Sequence, residues 1–81
     1  MIVTVLLFAM LREAAGVDRC RLALPPGADG HAVRQALDAR YPGLAPWWSC
    51  VRFARNCAYE SWDATLADGD EVSVLPPVSG G

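Results

Sequence analysis

The stretch ATLADGDEVSVLPP, residues 64–77, joins a turn to a strand and then stops the strand. Asp68, Gly69 and Asp70 are the residue types that tight backbone turns favour. Glu71 to Leu75 follows as a final strand. Pro76 and Pro77 then stiffen the exit and prevent the strand from continuing in a sheet. A strand this late needs a partner already in place. The opposite end of the chain offers one: Ile2 to Ala9 is an unbroken apolar run rich in β-branched residues. Val3, Val5, Leu7 and Ala9 share one face, and Ile2, Thr4, Leu6 and Phe8 share the other. With both faces apolar, one should meet a core helix and the other is left for a partner or a second layer. If the last strand lies beside the first, it does so in parallel, with the tail leaving from the sheet edge.

The segments between supply the remaining layers. LREAAG, residues 11–16, reads as a helical turn or loop closed by glycine. DRCRLALP then alternates, with Cys20, Leu22 and Leu24 on one face and Arg19, Arg21 and Ala23 on the other. It forms a hairpin with the first strand. DGHAVRQALDARYPG is the one clear helix: Ala32, Val33, Ala36, Leu37 and Tyr41 recur at helical spacing, and Pro42-Gly43 ends it. LAPWWSC reads as a short second helical turn or a loop, in which one of Trp47 and Trp48 belongs to the core and the other covers it. VRFAR is a third strand, and a turn at Asn56 leads into a short strand from Ala58 to Glu60. A strand pair, a helix laid across it and more strands afterwards predict an α+β fold of the β-grasp, or ubiquitin-like, kind: a mixed sheet with one main helix on one face. At 81 residues there is room for one core, expected over residues 1–77, followed by a flexible tail at 78–81.

Composition narrows the function classes. Cys20, Cys50 and Cys57 make an odd set without a C-x-x-C pair, so they are expected as buried free thiols of a reducing cytoplasm rather than a disulfide frame or zinc site. The apolar N-terminus has no basic flank or cleavage site and is too short to span a bilayer, which predicts a cytoplasmic protein with no membrane association. All seven arginines lie at or before Arg55; beyond it come Glu60, Asp63, Asp68, Asp70 and Glu71 with no base. That acidic end disfavours nucleic acid and suits a basic partner surface. Lysine is absent throughout, so no side-chain amine is available to accept an activated carboxyl group.

Catalytic constellations are missing. His31 is the single histidine, at the start of the helix, and suits a surface or capping role. Asp68, Asp70 and Glu71 fit backbone turn preferences better than a cation site, so no metal is expected. No glycine-rich loop opens a helix to cradle a nucleotide. The remaining candidate is the end of the chain. Val78, Ser79, Gly80 and Gly81 span roughly 13–14 Å when extended, enough to carry the Gly81 carboxylate into a neighbour's pocket. The two glycines lack Cβ atoms, pass a narrow channel and leave the terminal carbonyl carbon open to attack.

The segments Leu7-Phe8-Ala9, LREAAG at 11–16, Asn56, and LADGDEVSVLPPVSGG at 66–81 together resemble the MoaD/ThiS sulfur carriers, on the branch of molybdopterin synthase small subunits. PWWSCVRF, residues 46–53, follows no family pattern. The resemblance implies that an E1-like enzyme uses ATP to adenylate Gly81 and that a sulfurtransferase then makes it a thiocarboxylate. Val78, Ser79 and Gly80 would lead it into the large subunit of a heterotetramer, where it gives sulfur to a cyclic pyranopterin precursor of the molybdenum cofactor. No cofactor would be held stably, and the chain would not be catalytic alone. The family's sheet face near the tail docks on both partners; by position Phe8, Tyr59 and Leu75 belong to it, with Asp68, Asp70 and Glu71 as an acidic rim. Alternatives are a thiazole-pathway, tungsten-pterin or protein-modifying carrier, a β-grasp binding module with an incidental tail, and a thiol enzyme.

Overall fold

The structure is a computed structural model that describes residues 1–76. Its elements in chain order are β1 (Ile2–Leu7), α1 (Met10–Ala15), β2 (Arg19–Ala23), α2 (Gly30–Arg40), a 3-10 helix (Pro42–Trp47), β3 (Arg52–Arg55), β4 (Ala58–Tyr59) and β5 (Glu71–Leu75). They build a five-stranded sheet in the order β2-β1-β5-β3-β4. The expected parallel pairing is present, with Thr4 to Leu7 in register with Glu71 to Val74. β2 lies antiparallel to β1, and β3 antiparallel to β5.

This order corrects one expectation. β5 is the middle strand, so the chain leaves from the end of the sheet's centre and not from an edge. The reason is a matter of pairing: β1 and β3 each offer β5 a free side, and burial on both sides satisfies all its backbone groups. The strand carries the apolar content for it, since Val72 and Val74 are fully buried.

One further adjustment concerns β1. The strand ends at Leu7, because Ala9 takes a positive φ of 51° and turns the chain into α1. β1 and β2 are antiparallel neighbours, as expected, and the helical turn expected between them is α1. Gly16 closes α1 at φ 82°, its N–H donating to Arg12 O at 2.9 Å.

The helix lies over one face. Asp29 caps α2 by accepting from Ala32 N–H at 3.2 Å. Val33 and Leu37 point into the sheet and are fully buried against Val3, Val5, Leu7, Leu22, Phe53, Val72 and Val74. Trp48 is the core member of the tryptophan pair; its indole N–H donates to Asp38 Oδ1 at 3.0 Å, and Trp47 is half-buried cover. The third tryptophan closes the end of this core: Trp62 stacks on Phe53 at 4.7 Å between ring centroids and meets Trp48 edge-on at 6.3 Å. Backbone bonds from His31 N–H to Trp62 O and from Leu66 N–H to Ala28 O stitch that segment beside the start of α2.

Gly30 sits where this stitching is tightest. A Cβ there would fall 2.9 Å from the Trp62 backbone and 3.0 Å from the Phe53 ring. Helix propensity alone favours alanine by about 1 kcal/mol, but overpacking a rigid contact costs about 1–3 kcal/mol. Gly30→Ala should therefore lower stability in urea unfolding by about 1 kcal/mol or more, whereas Gln35→Ala on the exposed side of α2 should shift it by less than about 0.5 kcal/mol. A stabilised Gly30→Ala variant would contradict the packing.

Candidate functional site

Among the described residues, nothing covers the sheet face opposite α2. Strand alternation alone places there the residues between the buried ones: Thr4 and Leu6 of β1, Ser73 and Leu75 of β5, Arg52 and Ala54 of β3. Register then lines them up. One row crosses the whole sheet as Arg19, Leu6, Ser73, Ala54 and Tyr59. The next, toward the chain exit, holds Arg52 and Leu75, with Phe8 just beyond the end of β1.

Phe8, Tyr59 and Leu75, singled out by the sequence, meet here. They line an open concavity of about 280 Å³ together with Ala54, Cys57 and Ser73. Phe8 is 42% exposed and Tyr59 64% exposed, which in a core-poor small domain is a large apolar surface to leave in water. Ala54 is only 6% exposed although it points away from the helix, so it forms the floor of the concavity while Phe8 and Tyr59 project at its rim. The chain passes this concavity at Leu75 and Pro76. Pro77 and the tail residues Val78, Ser79, Gly80 and Gly81, with the 77/78 boundary drawn between domain and tail, lie outside the described residues.

The acidic residues are placed differently from the rim expected of them. Glu71 begins β5 and Leu75 ends it, so the turn before Glu71 lies roughly 13 Å from the exit at about 3.3 Å per residue. Its carboxylates also have internal work. Asp68 Oδ1 accepts from Ile2 N–H at 2.7 Å. Asp70 accepts from Ala67 N–H at 2.8 Å and from the Asn56 amide at 3.3 Å, with Arg55 at 3.9 Å. Asn56 in turn accepts from Glu71 N–H at 3.1 Å. This clasp ties the turn to the start of β1 and to the β3–β4 corner, where Asn56 and Cys57 both adopt positive φ. Asp68 and Asp70 thus serve the fold at the far end of β5, while Glu71 is exposed.

Other reactive groups are scattered or engaged. Cys20 is buried, but Cys50 and Cys57 are exposed, contrary to the expectation for all three; one follows the 3-10 helix and the other sits in the turn between β3 and β4. His31 Nε2 lies 2.9 Å from Asp63 Oδ1, and Asp29, His31 and Asp63 bring ligand-type atoms within 4.8 Å of one another. Asp29 is already the α2 cap, and the positive end of that helix opposes a cation at the same spot. Among the described residues no helix is long and apolar enough to cross a membrane.

A β-grasp sheet with its last strand in the middle, an apolar helix-free face and an exit beside it has a counterpart among known proteins. The ThiS family profile matches residues 5–81. The chain belongs to the ThiS family. A curated member, the molybdopterin synthase sulfur carrier subunit of Arabidopsis thaliana, is 37% identical over 79 residues, covering 98% of this chain and 82% of that protein. The crystal structure of SAMP1 from Haloferax volcanii superposes with a TM-score of 0.89 at 28% identity, covering all of both chains. A family structure from Helicobacter pylori, a complex of subunits 1 and 2 of molybdopterin-converting factor, matches with a TM-score of 0.72 at 28% identity, again over both chains in full.

Sequence reasoning did not single out three features of this family member's site: the buried floor at Ala54, the exposed Cys57 beside it, and the arginines flanking the apolar row. The alternation of Arg19, Arg21 and Arg52 was visible, but only the strand order puts β2 and β3 on opposite sides of β1 and β5.

The thiols provide a check on this placement. Burial pushes the Cys20 thiol up, against smaller opposing effects of a Tyr41 hydrogen bond and the Arg40 charge. The folded chain therefore keeps this proton at alkaline pH where the unfolded chain releases it, so stability declines as pH rises through and above the ordinary thiol range. Alkylation of the native protein near neutral pH, read by peptide mass spectrometry, should label Cys50 and Cys57 and spare Cys20 until denaturant is added. Equal labelling of all three would contradict the burial.

Proposed function

We propose that this chain is the sulfur carrier subunit of molybdopterin synthase, with the carboxylate of Gly81 as its reactive group. The observation that carries the proposal is the position of β5: a central strand anchored by the buried Val72 and Val74 delivers the chain at Pro76 directly beside an exposed apolar concavity. The rigid sheet then serves as a handle, and the partner supplies the chemistry. Kinship with carrier subunits of molybdopterin synthase supports the assignment.

A carboxylate is a poor acyl donor, because oxide is a poor leaving group. An E1-like enzyme would use ATP to form the Gly81 acyl-adenylate, releasing pyrophosphate. The outer sulfur of a sulfurtransferase persulfide would then displace AMP to give an acyl disulfide, and a thiol would cleave that S–S bond, becoming disulfide-bonded to the sulfurtransferase cysteine and releasing the thiocarboxylate. Ionised and polarisable, that group is a competent nucleophile toward a cyclic pyranopterin precursor of the molybdenum cofactor. Each dithiolene needs two sulfurs, which suits a heterotetramer of two small and two large subunits. Phe8, Tyr59 and Leu75 would seat on the large subunit while Val78, Ser79 and Gly80 thread its active site, an arrangement that holds the reacting atoms together. General acid and base groups would come from the large subunit.

A second reading is favoured by the full-length likeness to SAMP1: the activated terminus would be joined to a lysine of another protein. One experiment reads both. Intact-mass spectrometry of the chain made in cells with its activating enzyme should show a gain of about 16 Da, oxygen exchanged for sulfur, localised to Gly81 rather than to a methionine or cysteine oxidation. Conjugation would instead appear in tryptic digests as acceptor lysines bearing the peptide from Asn56 to Gly81, since no lysine or arginine follows Arg55. An unmodified Gly81 after exposure to activating enzyme, ATP and a sulfur donor would overturn the carrier proposal.

A further inference from the structure

Two arginines flank the apolar face, and neither forms an ion pair among the described residues. Arg19 stands level with Leu6 on β2, and Arg52 stands level with Leu75 on β3. Their register partners alternate with the buried Val5, Leu7 and Val74, so both side chains belong to the uncovered face. Three strand-to-strand steps separate β2 from β3 and the two residues lie one row apart, which roots the arginines roughly 16 Å apart at about 4.8 Å per step and about 3.3 Å per residue. Leu6, Ser73 and Leu75 lie between them. The Arg52 guanidinium is held against this surface, 5.7 Å from the centre of the Tyr59 ring.

Among the described residues, neither Arg19 nor Arg52 has a carboxylate within ion-pair distance, whereas Arg55 on the other face pairs with Glu60 and Asp70. Arg21 is one row further back, level with Thr4, which Glu71 also flanks; that carboxylate offsets part of its charge. The central rows therefore present an apolar strip with an uncompensated positive charge on each side. The acids that give the chain its net charge of −2 lie elsewhere.

We infer that this face takes a protein surface with an apolar centre and carboxylates on both sides of it, an acidic partner and not the basic one that the chain's overall charge suggests. The partner's identity rests on the carrier proposal; its chemistry rests on the sheet. Covering an apolar strip strips water from the guanidinium groups at its margin, which is costly unless carboxylates replace that water. The planar guanidinium suits them, because it binds a carboxylate through two parallel hydrogen bonds. A basic partner would set like charges together on both sides. A second copy of this chain offers no acid in the matching rows. Nucleic acid would leave the apolar strip unmatched. Charges in this position govern encounter rate and partner choice more than final affinity.

The test is association kinetics of the full-length chain with two proteins in turn, the large subunit of molybdopterin synthase and the E1-like activating enzyme. Measurements are made at low ionic strength and again at about 1 M salt, where charges are screened beyond about 3 Å. The Arg19→Glu/Arg52→Glu variant should associate about tenfold more slowly or worse at low salt, with the gap closing at high salt. Arg19→Lys/Arg52→Lys should keep most of the rate. Both positions are exposed, so unfolding midpoints should match the parent and exclude misfolding. Tight association that ignores salt and both substitutions overturns the inference and leaves the carrier proposal standing, as does faster association of the glutamate variant. Failure of the parent chain to bind either protein overturns the carrier proposal and, with it, the partner assigned to this face. Binding of a single-stranded oligonucleotide as tightly as either protein also overturns it.

Discussion

The parallel pairing of β1 with β5 is the constraint on which the rest of this molecule depends. It joins the first strand of the chain to the last, and places the last in the middle of the sheet. Without β5, the β1–β2 pair and the β3–β4 pair are two separate ribbons, and two-stranded ribbons are marginal in water. The core of Val3, Val5, Leu37, Phe53 and Val74 closes only when that strand is inserted. Such non-local pairing is slow to form, because loop closure must precede the contacts that reward it. It also has a geometric consequence. The chain emerges from the central strand of the sheet, one residue before the end of its described part.

Hydrophobic period made most of this architecture legible. The alternation of Cys20, Leu22 and Leu24, the helical spacing of Val33 and Leu37, and the late strand at Glu71 to Leu75 each appear in the structure as the sequence predicts. Strand order was legible only in part: β1 was expected beside β2 and β5, but hydrophobic period does not show that β3 takes the other side of β5. That gap placed the exit at an edge instead of the centre. It also made an acidic rim out of a turn whose carboxylates clasp Ile2, Ala67 and Asn56. Trp62 illustrates a second limit: its place in the core depends on stacking with Phe53 across the fold, and no local pattern announces such a contact.

The same strand order sorts the charges by purpose. Asp68, Asp70 and Arg55 hold corners of the fold together, and Asp63 pairs with His31 beside the start of α2. Arg19 and Arg52 face outward across an apolar strip and form no ion pair among the described residues. A chain whose own side chains form no catalytic cluster among the described residues, and which lacks lysine altogether, is suited to carrying an activated terminus without consuming it.

The central claim is that domain and terminus are separable, the one for docking and the other for chemistry. Sulfur transfer by a chain carrying one extra residue after Gly81 tests it most directly, measured with the activating enzyme, a sulfur donor and the large subunit, with unfolding and partner binding followed on the same sample. The account predicts unchanged stability, binding close to that of the parent, and complete loss of transfer. Transfer that survives the added residue would contradict it, because the reacting group could then not be the carboxylate of Gly81.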